Sequence, residues 1–260
     1  MSMLGLARTA FRRLATVAAA DATPTTGVRS AVVVAPHPDD ETLGCGATIL
    51  RKRAQDTPVT LVVVTDGRHS HRSDSLRPEE LAGLRRSELT EAAARLGVSG
   101  TSVHWLGLED GTVAAHEEFV AARLIELLVE LRPDECYATC AAEPHPDHAA
   151  VGRAARLAAA TVPGVTLLEY PVWLWDTWPL RRGDRLASTR AALIRLLPGR
   201  ALKVSTEPYG PQKRHALDAH ASQLHRPDAV PPDQEWVGLP STVLANAGGQ
   251  HELLFRTAPV

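Results

Sequence analysis

The chain has 260 residues, a formal net charge of −2 and 22% charged residues, which is typical of a globular protein with a sizeable core. Its basic clusters are short, such as "LRKR" at 50–53 and "PLRRG" at 179–183, and this pattern argues against nucleic acid as a partner. No apolar run approaches the roughly 20 residues that a membrane span needs, so we expect no membrane span.

Residues 1–28 differ in composition from the rest of the chain. They hold three arginines and no acidic residue before Asp21, and they end in the turn-prone "TPTTG". A signal peptide is the alternative, but the apolar stretch at 14–20 is short and alanine-rich, so we favour a helical or disordered N-terminal extension. A single catalytic domain is then predicted at 29–260.

The three cysteines, Cys45, Cys136 and Cys140, cannot all pair with one another, and the sequence has no C-x-x-C spacing. A disulfide framework is therefore not predicted. We expect small buried thiols in a reducing compartment, which places the protein in the cytoplasm.

From residue 30 onward, short runs of β-branched residues alternate with segments of helical periodicity. Continuous apolar strands separated by helices indicate a parallel sheet that is covered on both faces. We predict an α/β fold, a Rossmann-like three-layer sandwich with a mostly parallel sheet. The pattern predicts strands near 30–35, 59–67, 101–107 and 134–140, and helices near 42–55, 78–96, 115–131 and 148–160. The remainder is less regular, with strand candidates at 165–170 and 201–206 and a helix candidate at 208–224.

Four polar loops follow predicted strands. The carboxyl ends of parallel strands meet at one edge of the sheet, and ligands bind there near the point where the strand order reverses. We therefore expect these loops to form one site at the carboxyl edge. They are "PHPDDE" at 36–41, "TDGRHSHR" at 65–72, "LGLEDG" at 106–111 and "EPHPDH" at 143–148.

The first and last of these loops share the phrase "PHPD". Two imidazoles and a carboxylate make a zinc ligand set that leaves one coordination position open, as in catalytic zinc sites. A helix cap would explain one of the carboxylates, but not three of them together with histidines in two loops. The spacing alone leaves open whether Asp39 or Asp40 would bind the metal.

These two loops resemble the signature motifs of the PIG-L/LmbE-like family of zinc-dependent N-deacetylases, which act mainly on N-acetylglucosamine-type sugars. The resemblance runs from about residue 30 to about residue 224. It also includes "TDG" at 65–67, "RRSELTEAAARLGV" at 85–98, "LGLEDG" at 106–111 and "KRHALDAHASQL" at 213–224.

The resemblance implies a role for each residue of the two motifs. One Zn²⁺ per chain would be held by His37, Asp40 and His148. Asp39 would be the general base, which takes a proton from water and later delivers it to the leaving amine. The remaining two residues would stabilise the oxyanion, with His145 polarising the oxygen and Asp147 orienting His145.

Two further residues are candidates for substrate binding. Arg85 and Glu88 share the inward stripe of a predicted helix, where an ion pair between them is one interpretation and a substrate contact of Arg85, which the resemblance implies, is the other. Asp110 matches a position that contacts sugar hydroxyls in the family, although "EDG" by itself is a turn signal.

The sequence allows more than one interpretation of several other polar residues. His220 is either a structural histidine or part of a helix that closes over the site. The loop with His69 and His71 is typical of a substrate lid rather than of a metal site. Glu143 and Pro144 depart from the family pattern, and we expect them to stiffen the loop and to put an acid near the substrate mouth.

The function predicted from these residues is metal-dependent hydrolysis of an amide. The substrate would be a small molecule or glycoconjugate, an N-acetylglucosamine-type sugar that loses an acetyl or acyl group. A Rossmann-type nucleotide-cofactor enzyme such as a methyltransferase is one alternative, because "GCGAT" at 44–48 follows the first strand. A non-catalytic sugar-binding relative is the other, and the intact Asp39 and His145 argue against it. The sequence leaves the oligomeric state open.

Overall fold

The computed structural model describes residues 3–181 and 183–257. Within these ranges, eight β-strands alternate with ten α-helices. The strands are β1 (Ala20–Asp21), β2 (Ala31–Ala35), β3 (Val59–Thr65), β4 (Val103–Leu108), β5 (Glu135–Thr139), β6 (Thr166–Tyr170), β7 (Ala201–Ser205) and β8 (His251–Arg256). The helices are α1 (Met3–Ala18), α2 (Thr23–Thr26), α3 (Asp40–Arg53), α4 (Pro78–Arg95), α5 (Glu117–Leu131), α6 (Pro146–Thr161), α7 (Arg185–Arg195), α8 (Gly210–Leu217), α9 (Ala221–Leu224) and α10 (Ser241–Ala247).

The eight strands form one sheet in the order β1-β7-β8-β6-β5-β2-β3-β4. Paired strands run parallel except at β8, which is antiparallel to both β6 and β7. This arrangement confirms the predicted α/β sandwich with a mostly parallel sheet.

The central strand β2 contributes to a separate hydrophobic cluster on each face of the sheet. Val33 packs with residues of α3 and α4, whereas Val32 and Val34 pack with residues of α5 and α6. Side chains alternate between the two faces of a strand, so a strand covered on both sides needs an uninterrupted apolar run. This requirement explains the sequence "AVVVA".

The strand order reverses at β2. From β2 the chain continues outward through β3 to β4, then crosses back so that β5 pairs with the other side of β2. The loops after β2 and β5 therefore leave neighbouring strands at the same edge in opposite directions, which opens a crevice between them. The two "PHPD" loops are the ones that border this crevice.

The predicted and observed elements differ mainly in the last third of the chain. The helix predicted over 208–224 is interrupted at 218–220 and becomes α8 and α9, while α7 and β8 were not predicted. The pairing of β8 with β6 and β7 joins residues far apart in sequence, so no local pattern identifies it. Cys45, Cys136 and Cys140 are buried and unpaired.

The N-terminal segment packs against the sheet. Helix α1 buries Phe11, whose ring lies 5.9 Å from the Trp178 ring, and β1 pairs in parallel with β7 at the edge of the sheet. The domain boundary at residue 28 stays a prediction. Across 3–181 and 183–257, no helix combines the length and the hydropathy required to cross a membrane.

Two glycines in helices give a matched test of close packing. A Cβ atom on Gly152 of α6 would lie 2.5 Å from both the Thr139 oxygen and the Ala141 nitrogen, whereas nothing lies within 4 Å of the Cβ position at Gly83 of α4. We expect Gly152→Ala to lower the free energy of unfolding by about 1–3 kcal/mol through overpacking. Gly83→Ala should raise it by roughly 0.5–1 kcal/mol. Urea unfolding of both variants measures the difference, and equal effects would contradict this packing.

Candidate metal centre and active site

The predicted site residues other than Asp147 line a cavity of about 240 Å³ at the carboxyl edge of the sheet. The loop after β2 contributes His37 and Asp39, and α3 begins at Asp40. The loop after β5 contributes His145, and His148 follows in the first turn of α6. Proline at the start of α6 suits this geometry, since the first turn of a helix leaves its N–H groups without helical partners.

Three potential ligand atoms converge on one point. His37 Nδ1 lies 3.1 Å from His148 Nε2 and 3.4 Å from Asp40 Oδ2, and His148 Nε2 lies 3.2 Å from the same carboxylate oxygen. A tetrahedral zinc ion with ligands at about 2.0–2.1 Å separates its ligand atoms by about 3.3 Å. The donor set is two imidazole nitrogens and one carboxylate oxygen, so these residues fit a catalytic zinc ion. This ligand set stays a prediction.

The charges of this cluster are strongly perturbed. Burial opposes ionisation of Asp40, but His148 and His37 outweigh it and lower the pKa of Asp40 to about 2. Burial lowers the pKa of His148 to about 3. A neutral imidazole beside an ionised carboxylate is the state in which both groups can bind a cation.

The far side of His37 is held by two carboxylates. His37 Nε2 lies 3.1 Å from Asp110 Oδ1 and 3.3 Å from Asp147 Oδ2. Burial opposes the charged imidazole, yet these carboxylates and Asp40 raise the pKa of His37 well above its ordinary value. Carboxylates in this position fix the orientation of a metal-binding histidine.

For Asp147 these contacts differ from the expectation, whereas the role expected of Asp110 stays a prediction. Asp147 was expected to orient His145, but it contacts His37, because backbone N–H groups of Gly111 and Val113 donate to its carboxylate and hold it there. Asp110 was expected to bind sugar hydroxyls. In the structure one of its oxygens contacts His37, the other accepts the His69 N–H at 3.0 Å, and the residue lines the cavity.

His37 belongs to two other groups of potential ligands, one with His145 and His148 and one with Asp110 and Asp147. The ligand atoms within each group lie within 4.8 Å of one another. The two carboxylates of the second group already accept backbone hydrogen bonds, and the atoms of the predicted set lie closer together. The predicted set therefore remains the best candidate.

Asp39 lies in the same cavity on a strained backbone. Its φ of 130° is in the region that favours glycine, and such strain in other residues persists where surrounding contacts impose it. Arg85 Nη2 donates to Asp39 Oδ2 at 3.0 Å and to the Pro38 carbonyl, and Arg85 Nη1 donates to the Gly67 carbonyl at 3.0 Å. Burial raises the pKa of Asp39 to about 7, although Arg85 opposes this shift.

The substrate contact expected of Arg85 stays a prediction. Its guanidinium lines the cavity, but it donates to protein groups that include the expected general base. Arg85 does not pair with Glu88, which accepts hydrogen bonds from Ser222 N and Oγ at 2.7 Å. Gly67 of the "TDG" motif has a φ of +66°, and a Cβ atom there would lie 2.3 Å from Arg85 Nη1.

Glu41 and His220 lie behind Asp39, where the sequence suggested that Glu41 is either an acid at the start of a helix or a partner of the site residues. Glu41 Oε2 accepts the Asp39 N–H at 3.0 Å, and its Oε1 lies 3.1 Å from His220 Nε2. Both side chains are fully buried. Burial opposes their ionisation, but their mutual attraction lowers the pKa of Glu41 and raises that of His220. The proximity of Glu41 to Asp39 in "PDDE" was the only available signal for this role.

His145 faces the two histidines of the predicted ligand set. Its ring centroid lies 4.9 Å from that of His37 and 4.9 Å from that of His148. Within the described residues, its Nδ1 atom is buried without a hydrogen-bond partner. Burial, together with His37, lowers the pKa of His145. The imidazole is therefore available to contact a ligand in the cavity.

Two surface loops meet over the cavity. The His71 ring stacks on Trp236 with centroids 4.0 Å apart, and His71 Nε2 lies 2.8 Å from the Val237 carbonyl oxygen. His69 Nε2 lies 2.8 Å from Glu109 Oε1. Trp173 lines the cavity, while Trp175 and Trp178 belong to a hydrophobic core cluster.

Glu143 is buried and is not among the described residues that line this cavity, which differs from the acid expected near the substrate mouth. Its carboxylate accepts N–H groups of Val172 and Trp173 and so ties this loop to the segment after β6. Burial raises its pKa to about 8.

The glycines of "GCGAT", which suggested a nucleotide-cofactor enzyme, allow close packing of a helix. Gly44 and Gly46 lie within α3, and a Cβ atom on them would come within 2.2 Å of Tyr170 Cδ2 and 2.8 Å of Lys213 Cγ, respectively. They allow α3 to approach its neighbours and form no phosphate-binding turn.

Comparison with known sequences is consistent with this geometry. Residues 32–159 match the profile of the family described as PIG-L, GlcNAc-PI de-N-acetylase. The chain is 31% identical over 203 residues to a Bacillus anthracis protein named "Probable N-acetyl-alpha-D-glucosaminyl L-malate deacetylase 2", covering 75% of this chain and 82% of the relative. A Bacillus cereus protein of the same name is 31% identical over 140 residues, covering 52% of this chain and 63% of the relative. The chain thus spans less than two thirds of the Bacillus cereus protein.

The fold also resembles a solved structure. N,N'-diacetylchitobiose deacetylase from Pyrococcus horikoshii superposes with a TM-score of 0.62 and 24% identity, covering 85% of this chain and 80% of the other. At this identity the likeness concerns the fold. The family profile spans both "PHPD" loops, and the Bacillus anthracis relative matches over most of its length. This chain belongs to the PIG-L/LmbE-like family of deacetylases.

Proposed function

We propose that the protein is a zinc-dependent N-deacetylase that removes the acetyl group from an N-acetylglucosamine-type sugar or glycoconjugate. The observation that carries this proposal is the convergence of His37, Asp40 and His148 in a cavity that also contains Asp39 and His145. Hydrolysis of an amide needs a Lewis acid, a base and an oxyanion donor, and these residues can provide all three roles.

In this mechanism Asp39 accepts the proton of the attacking water and returns it to the departing amine. Its buried carboxylate has a pKa near neutrality, which suits a group that must both take and give a proton. A zinc ion held by the three ligands would acidify water and polarise the carbonyl group. His145 donates to the carbonyl oxygen as negative charge develops there.

The size of the cavity supports a substrate that places a single sugar ring in the site. Its volume of about 240 Å³ is below the roughly 300–1,000 Å³ that is typical of sites for drug-sized ligands. The names of the Bacillus relatives contain an N-acetylglucosaminyl unit. We infer that the acetamido group enters the cavity and that the rest of the substrate stays outside.

Metal content and amine release test the proposed reaction. Purified protein should contain about one divalent ion per chain, and chelation should abolish release of free amine from N-acetylglucosaminyl conjugates. Added Zn²⁺ should restore it. Amine release that is unaffected by complete removal of the metal would contradict the proposal, as would inactivity of the metal-loaded protein on a broad set of N-acyl amino sugars.

Substitution of the base and of a metal ligand should give different results. Asp39→Asn should retain the metal but lose about 10²–10⁴-fold in kcat, since no carboxylate remains to accept the proton. His148→Ala should lose both the metal and the activity. Elemental analysis and turnover of the same samples separate these outcomes. Full activity of Asp39→Asn would mean that another group is the base.

Glu41 should affect turnover through the position of Asp39. Glu41→Gln removes the charge that pairs with His220 and weakens the hold on the Asp39 N–H, so we expect kcat to fall roughly 10- to 100-fold with the metal retained. Glu252, another buried carboxylate, binds Lys213 and the backbone of Ala47 outside this cavity. Glu252→Gln should therefore lower the unfolding temperature without changing kcat. Equal kcat values for the two variants would argue against the positioning role.

A further inference from the structure

Helix α7 has an apolar outer face that the described part of the chain leaves uncovered. Leu186 and Leu193 of α7 are 90% and 55% exposed, and Leu197, two residues after the helix ends, is 51% exposed. These leucines and Arg190 follow the spacing of one helical stripe. They border a shallow surface cavity of about 490 Å³. The opposite face of α7 is buried and includes Ala192 and Arg195.

A basic groove adjoins this apolar face. Four arginines and one acidic residue line a cavity of about 730 Å³, which shares Ile194 with the apolar surface: Arg156, Arg195, Arg200 and Arg256 with Glu169. Glu169 pairs with the first two of these arginines. The other two have no acidic partner among the residues that the structure describes. The groove therefore carries excess positive charge.

The surrounding sequence strengthens this charge. Residues 180–200 contain six arginines and a single acidic residue, Asp184, in a chain whose formal net charge is −2. One of the six, Arg182, lies outside the described residues. A helix with leucines on its outer face and arginines around it is typical of segments that bind in the plane of an anionic membrane surface.

We propose that the outer face of α7 and the adjoining arginine groove dock onto an anionic phospholipid bilayer. The leucines would enter the boundary between head groups and acyl chains, and the arginines would meet the lipid phosphates. Surface binding of this kind requires no membrane-spanning helix.

Charge complementarity favours a lipid surface over a second copy of the chain. In a two-fold symmetric dimer the same patch lies on both sides of the interface. The exposed arginines would then face each other around the leucines, which is unfavourable without acidic partners. An anionic bilayer supplies negative charge and an apolar layer together.

The location of the surface leaves the deacetylase cavity accessible. Arg200 directly precedes β7, and Arg256 ends the antiparallel strand β8, so the groove lies at the amino edge of the parallel strands. The cavity with Asp39 and His148 lies at the carboxyl edge. Membrane attachment through α7 would therefore not block the active site.

Vesicle sedimentation with the full chain tests this proposal. The protein should bind vesicles made of equal parts phosphatidylglycerol and phosphatidylcholine, bind phosphatidylcholine vesicles weakly, and dissociate as the salt concentration rises. Absence of binding to the anionic vesicles at low salt would overturn the proposal.

Paired variants locate the surface. Leu186→Ser with Leu193→Ser, and separately Arg190→Gln with Arg200→Gln, should each weaken vesicle binding about 10-fold or more. The controls are Phe119→Ser with Val129→Ser and Arg132→Gln with Arg214→Gln, which alter exposed residues outside both cavities and should bind normally. Unchanged binding in both test pairs would refute the assignment.

Two further readouts separate this proposal from its competitors. All four double variants should turn over a water-soluble N-acetyl sugar at the rate of the parent protein. Failure of the deacetylase assay would therefore count against the proposed function, and failure of the vesicle assay would count against the membrane proposal. Light scattering should show the same mass for the parent protein and the leucine pair. A dimer that the leucine substitutions dissociate, with no vesicle binding, would identify the face as a self-association surface and overturn the proposal.

Discussion

The burial of three consecutive acidic residues at the end of β2 is the constraint on which the rest of the site depends. Asp39, Asp40 and Glu41 are 5%, 2% and 0% exposed. Ionised carboxylates can be buried only where cations or hydrogen-bond donors compensate for the lost water. Asp40 meets two imidazoles, while the other two meet Arg85 and His220, respectively. One imidazole, His37, belongs to the same loop, and the other three partners come from α4, α6 and the turn before α9. The acidic loop therefore requires the correct placement of three segments that are distant in sequence.

The same constraint explains why Asp39 and His37 are held in place by several neighbours. The backbone of Asp39 adopts a φ of 130°, and Glu41 and Arg85 hold it from two sides. His37 is held between Asp40 and the carboxylates of Asp110 and Asp147. Groups that are fixed before the substrate arrives need little reorganisation during the reaction, which is the usual source of electrostatic catalysis. The proposed active site lies at the carboxyl edge of the sheet, while the basic and apolar surface lies at the opposite edge.

Helices and strands were predicted correctly where the hydrophobic pattern of neighbouring residues was sufficient to identify them. The apolar run "AVVVA" indicated a strand buried on both faces, and the periodicity near 78–96 indicated α4, because burial repeats every two residues in a strand and about every 3.6 in a helix. Prediction failed at β8, whose place depends on pairing with β6 and β7, and at the break between α8 and α9, where His220 turns inward to Glu41. Neither the pairing of β8 nor the break between the two helices produces a periodic pattern in the sequence.

The sequence by itself determined that two "PHPD" loops follow two strands of a parallel sheet, because strand periodicity and the crossover helices place both loops at one edge. Only the tertiary structure decided which side chains touch. It placed Asp147 and Asp110 against His37 and directed Arg85 to Asp39, although the motifs suggested other partners. The physical reason is that a hydrogen bond depends on the distance and angle between two side chains, and those are set by packing across the sheet rather than by spacing along the chain.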